Sequence, residues 1–239
     1  KTVLSKSYRV PATVFDLAND IVNRIHVRQD KRWSPRDEAG SVDFHMNWYD
    51  VNIDEGSWTI MARTNKALNS IHHSLREDGY LFERFGHSMI SLELLEAMSI
   101  WERLAKGETA SVGEIKKLYG FMPKQGDRSL LKRAATKTFD AVDPQGYHNY
   151  DNLVAEHGLL VNQDARPEVV VNMSLEDIRY MGAVRRRGED LTKPRINLST
   201  IHRMKGGEDD NVLLLTDSSY PAVNAPDQDD EHRVFYTAV

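Results

Sequence analysis

Apolar residues recur along the chain at two spacings, which predict alternating helices and strands. A helical spacing from Val14 to Ile25 predicts a helix that begins at Pro11 and continues to about Val27. Short β-prone runs indicate strands, of which those at 57–62 and 212–215 are predicted to be buried, the second on both faces as in a parallel sheet covered by helices. These predicted strands cover residues 2–4, 57–62, 80–85 and 212–215, with a shorter one near 42–45 and a β-prone run from 195.

Capping residues predict further helices between these strands. Asn65 is the predicted N-cap of a helix that Gly79 ends. In the middle of the chain, helical spacing indicates a helix over residues 92–104, another capped by Ser111, and a third that follows Ser174 and ends at Gly188. Residues 143–167 contain proline and glycine without any period and are predicted to be irregular.

Together these patterns predict an α/β chain in three parts. Residues 1–86 and 189–239 supply the strands and helices of one parallel sheet, and residues 87–188 form a mainly helical insertion between them. Ligands collect at the carboxyl ends of parallel strands. Polar side chains that follow the predicted strands are therefore candidates for ligand binding.

Composition narrows the function only slightly. The 239 residues are 40% hydrophobic and 28% charged, which predicts a globular chain, and the absence of cysteine excludes disulfides and zinc–thiolate sites. No apolar run is long enough to span a bilayer and no signal-peptide pattern occurs, so we expect a cytoplasmic protein with no membrane partner. The net charge of −5 does not itself indicate nucleic acid, although a local basic stripe can bind it.

Basic residues are concentrated in one segment of the insertion, on a helix predicted to follow Asp127, and in an arginine triplet before Gly188. Such residues can contact a phosphate backbone. A solvated helix face, and a helix end charged to suit its dipole, account for them as well. The residues are Lys124, Arg128, Lys132, Arg133 and Lys137, with Arg185, Arg186 and Arg187.

The loop before the last predicted strand holds the densest candidate chemistry. Thr200, His202, Lys205 and Glu208 surround two glycines, of which Gly206 permits a positive φ or a close approach of the backbone to a ligand. The alternative is a surface turn in which the lysine neutralises the neighbouring acids.

A second acidic cluster precedes the last predicted helix, which begins at Glu231. It contains Asp227, Asp229, Asp230, Glu231 and His232. Their spacing fits no metal-ligand pattern, so we predict no metal site and expect a solvated loop.

Four segments, in order, resemble the Rep/UvrD-type superfamily-one DNA helicases. The loop at 200–208, Thr-Ile-His-Arg-Met-Lys-Gly-Gly-Glu, is similar to the family's motif V. Residues 7–9 resemble motif IV, residues 58–65 resemble the strand that ends in Arg-Thr-Asn, and residues 230–239 resemble motif VI. The resemblance implies a second RecA-like domain that is interrupted by a helical subdomain.

The resemblance further implies that this chain forms part of an ATP site. Residues at the positions of Arg9 and Arg233 reach the γ-phosphate in the family and act in catalysis. The residue at Tyr8 stacks on the adenine, and the residue at Glu208, after Gly206, touches the nucleotide sugar. Arginine suits the phosphate role because its planar fork stays charged and binds phosphate bidentately.

A track for single-stranded DNA is also implied by the resemblance. Arg63, Asn65, Thr200, His202 and Lys205 stand at positions or in segments that contact DNA in the family. A salt bridge for Arg63 and helix capping for Asn65 are the alternative roles.

These expectations lead to the hypothesis that the chain is one of the two RecA-like halves of a helicase motor. The sequence contains no Gly-x-x-x-x-Gly-Lys-Ser/Thr loop and no acidic strand to hold Mg²⁺ beside it. The resemblance places both in a first RecA-like domain, which would be a partner together with single-stranded DNA or a single/double-strand junction. We therefore expect ATP and Mg²⁺ as cofactors, and no ATP hydrolysis by this chain alone. The alternative is a non-catalytic DNA-binding or partner-docking module that keeps the fold.

Overall fold

The computed structural model describes residues 6–30, 32–126, 128–217 and 220–239. The chain divides into two compact units. Unit 1 comprises Lys1–Ser88 and Lys193–Val239, and unit 2 comprises Met89–Thr192. The predicted strand at 2–4 lies outside the described residues.

The described α-helices and strands alternate through unit 1, and helices dominate unit 2. The helices are α1 (Ala12–Asn23), α2 (Asn65–Glu77), α3 (Leu92–Ala105), α4 (Val112–Phe121), α5 (Tyr150–Ala155), α6 (Pro167–Val170), α7 (Leu175–Arg187), α8 (Tyr220–Val223) and α9 (Asp229–Ala238). The strands are β1 (Trp58–Ala62), β2 (Phe82–Arg84), β3 (His87–Ser88), β4 (Ala110–Ser111), β5 (Tyr147–His148), β6 (Ile196–Thr200) and β7 (Asn211–Leu214). Short 3₁₀ helices cover Trp48–Asp50 and Ala135–Ala141.

The described residues of unit 1 form a five-stranded mixed sheet with the order β3-β2-β6-β1-β7. β6 lies between β1 and β2 and is parallel to both, and β7 is parallel to β1. Only β3 is antiparallel, and it pairs with β2. The sheet is therefore mainly parallel, and helices flank it. This architecture is α/β, as the sequence predicts.

The helix after β1, α2, buries its apolar face in the core of unit 1. Leu68, Ile71 and Leu75 recur at helical spacing and are fully buried, as is Ile60 of β1. The cap differs from the prediction. Thr64, not Asn65, is the N-cap, because its backbone is extended and its side chain accepts the N–H of Ala67 at 3.3 Å.

Two predictions for the amino-terminal region are wrong. α1 ends at Asn23 and not near Val27, because the N–H groups of His26 and Val27 donate to the Asp229 carboxylate instead of to helical carbonyls. Residues 42–45 form no strand. Phe44 among them is exposed, so no buried face is available to fix a strand there.

The prediction that residues 212–215 form a strand buried on both faces is also wrong. β7 does form over 211–214, but it is the last strand of the described sheet, and 47% of Val212 is exposed. Only one of its edges is hydrogen-bonded to a described strand, so apolar character here marks an edge strand and not a central one.

Unit 2 packs its helices around fully buried Trp101 and Leu118, with Tyr119 beside them. Ser111 caps α4 through a capping box, and the Ser174 side chain caps α7, as predicted. Two other predictions are wrong. The basic segment is not an α-helix but turns and the 3₁₀ helix at 135–141, and residues 143–167 contain β5 and α5.

Among the residues that the structure describes, no helix combines the length and the apolar content that crossing a bilayer requires.

Candidate functional site

The candidate site lies at the carboxyl edge of the unit 1 sheet. Ala62 of β1 is directly paired with Thr200 of β6, so both strands end at the same level. Arg63 follows the first strand and His202 follows the second. Parallel pairing therefore brings three of the predicted DNA-binding residues to one edge, the place where α/β sheets bind ligands.

Arg63 is held at this edge by a carboxylate from α9. Its Nε and Nη2 atoms donate to Glu231 Oε2 and Oε1 at 2.9 and 2.8 Å, a bidentate pair with both side chains largely buried. The hydrogen bond from Arg63 holds the pKa of Glu231 below its usual range, and the charge of nearby His202 acts in the same direction. The same hydrogen bond raises the pKa of Arg63. The salt-bridging role for Arg63 is thus present in this structure.

The loop after β6 is a compact turn closed by its own backbone. Thr200 O accepts the N–H groups of Arg203 and Met204 at 3.0 and 3.2 Å, and Met204 O accepts that of Gly207 at 2.8 Å. Gly206 has a φ of +86°, which favours glycine. A Cβ on Gly207 would lie 2.9 Å from Met204 Cε and 3.1 Å from Met204 O, so a side chain there would displace the Met204 methyl group and crowd the carbonyl of the turn.

Asp209 fastens the end of this loop to the first strand. Its carboxylate accepts hydrogen bonds from the hydroxyls of Ser57 and Thr59, the latter at 2.9 Å. Thr59 is itself buried, so the hydrogen bond satisfies a polar group in the core. Lys205 is exposed and forms no ion pair with any described residue, so it does not neutralise the acids beside it.

The residue before Asp209, Glu208, contacts the segment before α1. Arg9 Nε lies 2.9 Å from Glu208 Oε2, and both side chains are about two-thirds exposed. Tyr8 beside it is 82% exposed. Two residues predicted for the ATP site, separated by almost the whole chain, are therefore in direct contact, and an exposed aromatic ring stands next to them.

Arg233 of α9 has different partners from Arg9. Its guanidinium donates to Asp230 Oδ1 at 2.6 Å and to the carbonyl of Val27 at 2.9 Å, and it lies 3.5 Å from Asp229 Oδ2. Arg9 belongs to the segment before α1 and Arg233 contacts Val27 after it, and the 12 residues of α1 span about 18 Å. A shared phosphate would require both side chains to leave these partners.

Asp229 is a buried anchor and not part of a solvated loop, which corrects the prediction for this cluster. Only 2% of the residue is exposed, and its carboxylate accepts the N–H groups of His26 and Val27, each at 2.9 Å. These backbone hydrogen bonds hold the pKa of Asp229 far below its usual range. The prediction failed because spacing alone does not reveal which carboxylate meets an unpaired N–H.

Three residues of this edge were missed at the sequence level. The Phe85 ring lies under two guanidinium groups, that of Arg84 at 5.1 Å and that of Arg203 at 4.7 Å from its centroid. Phe85 also has a φ of +57°, a strained value for a bulky residue. The available signal was an aromatic residue between Arg84 and glycine directly after a predicted strand.

The remaining predicted DNA contact, Asn65, is exposed in the first turn of α2 beside Arg63 in the sequence. No group of three or more histidine, aspartate and glutamate side chains among the described residues is arranged to hold a metal ion.

The chain matches no protein-family model, and no curated protein shows significant similarity to it.

Proposed function

We propose that this chain is the second RecA-like half of an ATP-driven DNA helicase or translocase of the Rep/UvrD type. Its mainly parallel sheet flanked by helices is compatible with a RecA-like fold. The four ordered segments of the sequence agree with the same class. Unit 2 is inserted in the sequence where such proteins carry their helical subdomain.

The observation that carries this proposal is the bidentate pair between Arg63 and Glu231. It connects the predicted DNA edge of the sheet to α9, the helix that also bears Arg233. A DNA phosphate that bound Arg63 would compete with Glu231 for the guanidinium. Because Glu231 and Arg233 share one helix, DNA binding and the position of the catalytic arginine would be coupled.

At the nucleotide side, Arg9 and Arg233 contact the γ-phosphate, and Tyr8, Gly206 and Glu208 bind the base and ribose. The structure holds both arginines on carboxylates. A triphosphate carries more negative charge than one carboxylate and binds guanidinium bidentately, so it can displace these partners. Mg²⁺ and the phosphate-binding loop belong to the first RecA-like domain in this proposal, and the DNA partner is single-stranded or a single/double-strand junction.

A second candidate function is a non-catalytic DNA-binding module. The observation that favours it is the same occupation of Arg9 and Arg233 by Glu208, Asp229 and Asp230. In such a module the arginines would be structural and ATP would have no effect on DNA binding.

ATP hydrolysis separates the two functions. We expect the protein that contains both RecA-like halves to hydrolyse ATP with stimulation by single-stranded DNA. Arg233→Ala should lower that rate on the order of 10³-fold, as for other arginines that stabilise phosphoryl-transfer charge. Arg24→Ala, which removes an exposed arginine of the same unit, is the matched control. If both variants retain the parent rate, or if the parent hydrolyses no ATP, the module takes the place of the motor.

A further inference from the structure

Unit 2 contains a close pair of histidines, His148 of β5 and His157 just after α5. They are the only histidines in the sequence of this unit. The two rings lie edge to face with their centroids 4.6 Å apart, and the His157 ring stacks on Phe139 with centroids 4.1 Å apart. Only 2% of His157 is exposed. A side chain that titrates near neutral pH in water is therefore part of the core of unit 2.

The hydrogen bonds of Thr138 define the protonation state of His157. Thr138 Oγ1 lies 2.9 Å from His157 Nδ1, and the same hydroxyl donates its single proton to Ala135 O at 2.6 Å. The hydroxyl can therefore only accept from His157, which places the hydrogen of the neutral ring on Nδ1 and a lone pair on Nε2. His157 Nε2 is buried and has no hydrogen-bond partner among the described residues, and the same holds for His148 Nε2.

The surroundings offer no buried charge that would stabilise a second proton on His157. Neither imidazole forms an ion pair with a carboxylate in the part of the chain that the structure describes. Tyr119 of α4 donates its hydroxyl to His157 O at 3.2 Å, and burial raises the pKa of this phenol, which stays neutral. Of the charged side chains on the surrounding elements, Glu114 is held by Arg103, and the following are exposed and screened by water: Lys116, Lys132, Asp140, Asp143 and Glu156.

Protonation therefore opposes the packing of His157. Burial lowers the pKa of the imidazole, and the neighbouring His148 acts in the same direction, while Glu156 opposes them. In an open segment the imidazole has its ordinary pKa of about 6.5. Below that pH the open form binds more protons than the closed form. The packing thus has its full stability above about pH 6.5 and loses stability as the pH falls below this value.

The segments that carry the two histidines are short. His148 belongs to β5, which pairs with only the two residues of β4. The chain after His157 is held by Lys132, whose N–H donates to Gly158 O at 2.8 Å. A Cβ on Gly158 would lie 3.0 Å from Lys132 Cβ, so this close approach depends on glycine. Because Phe139 is itself buried under the His157 ring, displacement of the ring would expose it.

We propose that His157, together with His148, forms an acid-sensitive latch in unit 2. The neutral His157 ring holds the segment after α5 on the 3₁₀ helix at 135–141. A proton taken up at Nε2 puts a positive charge into the core beside His148 and without an acceptor, so the segment separates and the ring enters water. The latch goes beyond the function proposed above and does not depend on it.

Hydrogen exchange of the 239-residue chain, followed by mass spectrometry, tests the latch. After correction for the intrinsic exchange rate, opening of peptides from residues 135–159 should increase about ten-fold between pH 7.5 and 5.5, because the open imidazole takes up a proton. His157→Asn keeps a side-chain N–H for Thr138 but cannot be protonated, so its opening should be equal at both pH values. His45→Asn removes an exposed histidine of unit 1 and should behave as the parent does.

Opening that does not change with pH in the parent would overturn the proposal, as would an equal increase in His157→Asn. If that variant does not fold, the imidazole NMR signals of the parent decide. A His157 ring that stays neutral below pH 6.5, with its hydrogen on Nδ1, supports the latch. A ring that is half protonated near pH 6.5 while the segment remains closed removes it.

Discussion

Two acidic clusters of unit 1 look alike in sequence but behave differently in the structure. Residues 208–210 end the loop after β6, and residues 229–231 begin α9. In the first cluster Glu208 is exposed and holds Arg9 by one ion pair. In the second, Asp229 is buried on two backbone N–H groups and Glu231 holds Arg63 bidentately.

The difference shows that burial decides what a carboxylate contributes. An exposed pair is screened by water and easily exchanged for another anion. A buried carboxylate that satisfies N–H groups fixes the backbone, because its removal leaves those donors unpaired. Asp229 and Glu231 are therefore structural, as is Asp209 in the first cluster, which accepts the hydroxyls of Ser57 and Thr59, whereas the exposed Glu208 is suited to release Arg9 to a ligand.

The largest effect is expected on acidification, which removes the stability that Asp229 and Glu231 contribute. The folded-state pKa values of Asp229 and Glu231 are depressed, so their contribution to stability is present above about pH 4 and is lost as the pH falls through the folded values. Between pH 6 and 3 we expect the denaturation temperature of the parent to fall about 5–10 °C more than that of Asp229→Asn/Glu231→Gln. Parallel pH profiles in thermal unfolding would contradict the assignment.

The second-largest effect on stability is expected when Asp229, the buried anchor, is replaced alone. Asp229→Asn keeps the shape but removes the charge that accepts both N–H groups, and we expect the denaturation temperature to fall on the order of 5 °C. Asp230→Asn, at a neighbouring exposed carboxylate, should change it by no more than about 1–2 °C. Scanning calorimetry measures both, and equal shifts would show that burial is not the cause.

The smallest effects separate the two arginine pairs. A double-mutant cycle between Arg63→Ala and Glu231→Ala should give a coupling free energy of about 1–2 kcal/mol. The cycle between Arg9→Ala and Glu208→Ala should give about 0.5 kcal/mol or less, because solvent screens both exposed side chains. Urea denaturation measures each cycle. A larger value for the second pair would reverse the comparison.

Sequence patterns predict the elements with a strong local cause. Ser111 and Ser174 cap their helices, and Gly79 and Gly188 follow helix ends with positive φ, because caps and glycines act through neighbouring residues. α1 ends four residues early because Asp229, about 200 residues away in sequence, accepts the N–H groups of His26 and Val27. No local signal carries that information.

The same distinction between local and long-range causes applies to the candidate site. Parallel strands predict that Arg63 and Thr200 reach one edge, since pairing follows from the fold class. The partners of these residues come from other elements, as Glu231 does for Arg63. The contact of Phe85 with two guanidinium groups was missed because Arg84 ends β2 whereas Arg203 lies in the turn after β6, far away in sequence.

The position of β6 in the sheet also sets an order of folding. β1 and β2 do not pair with each other and meet only through β6, which follows β2 by roughly 110 residues. During synthesis at about 5–20 residues per second, both strands wait roughly 5–20 s for the strand that joins them. Unit 2 is continuous in sequence and is completed in that interval. Within these residues, the sheet that carries the candidate site therefore cannot be completed before unit 2 has been synthesised.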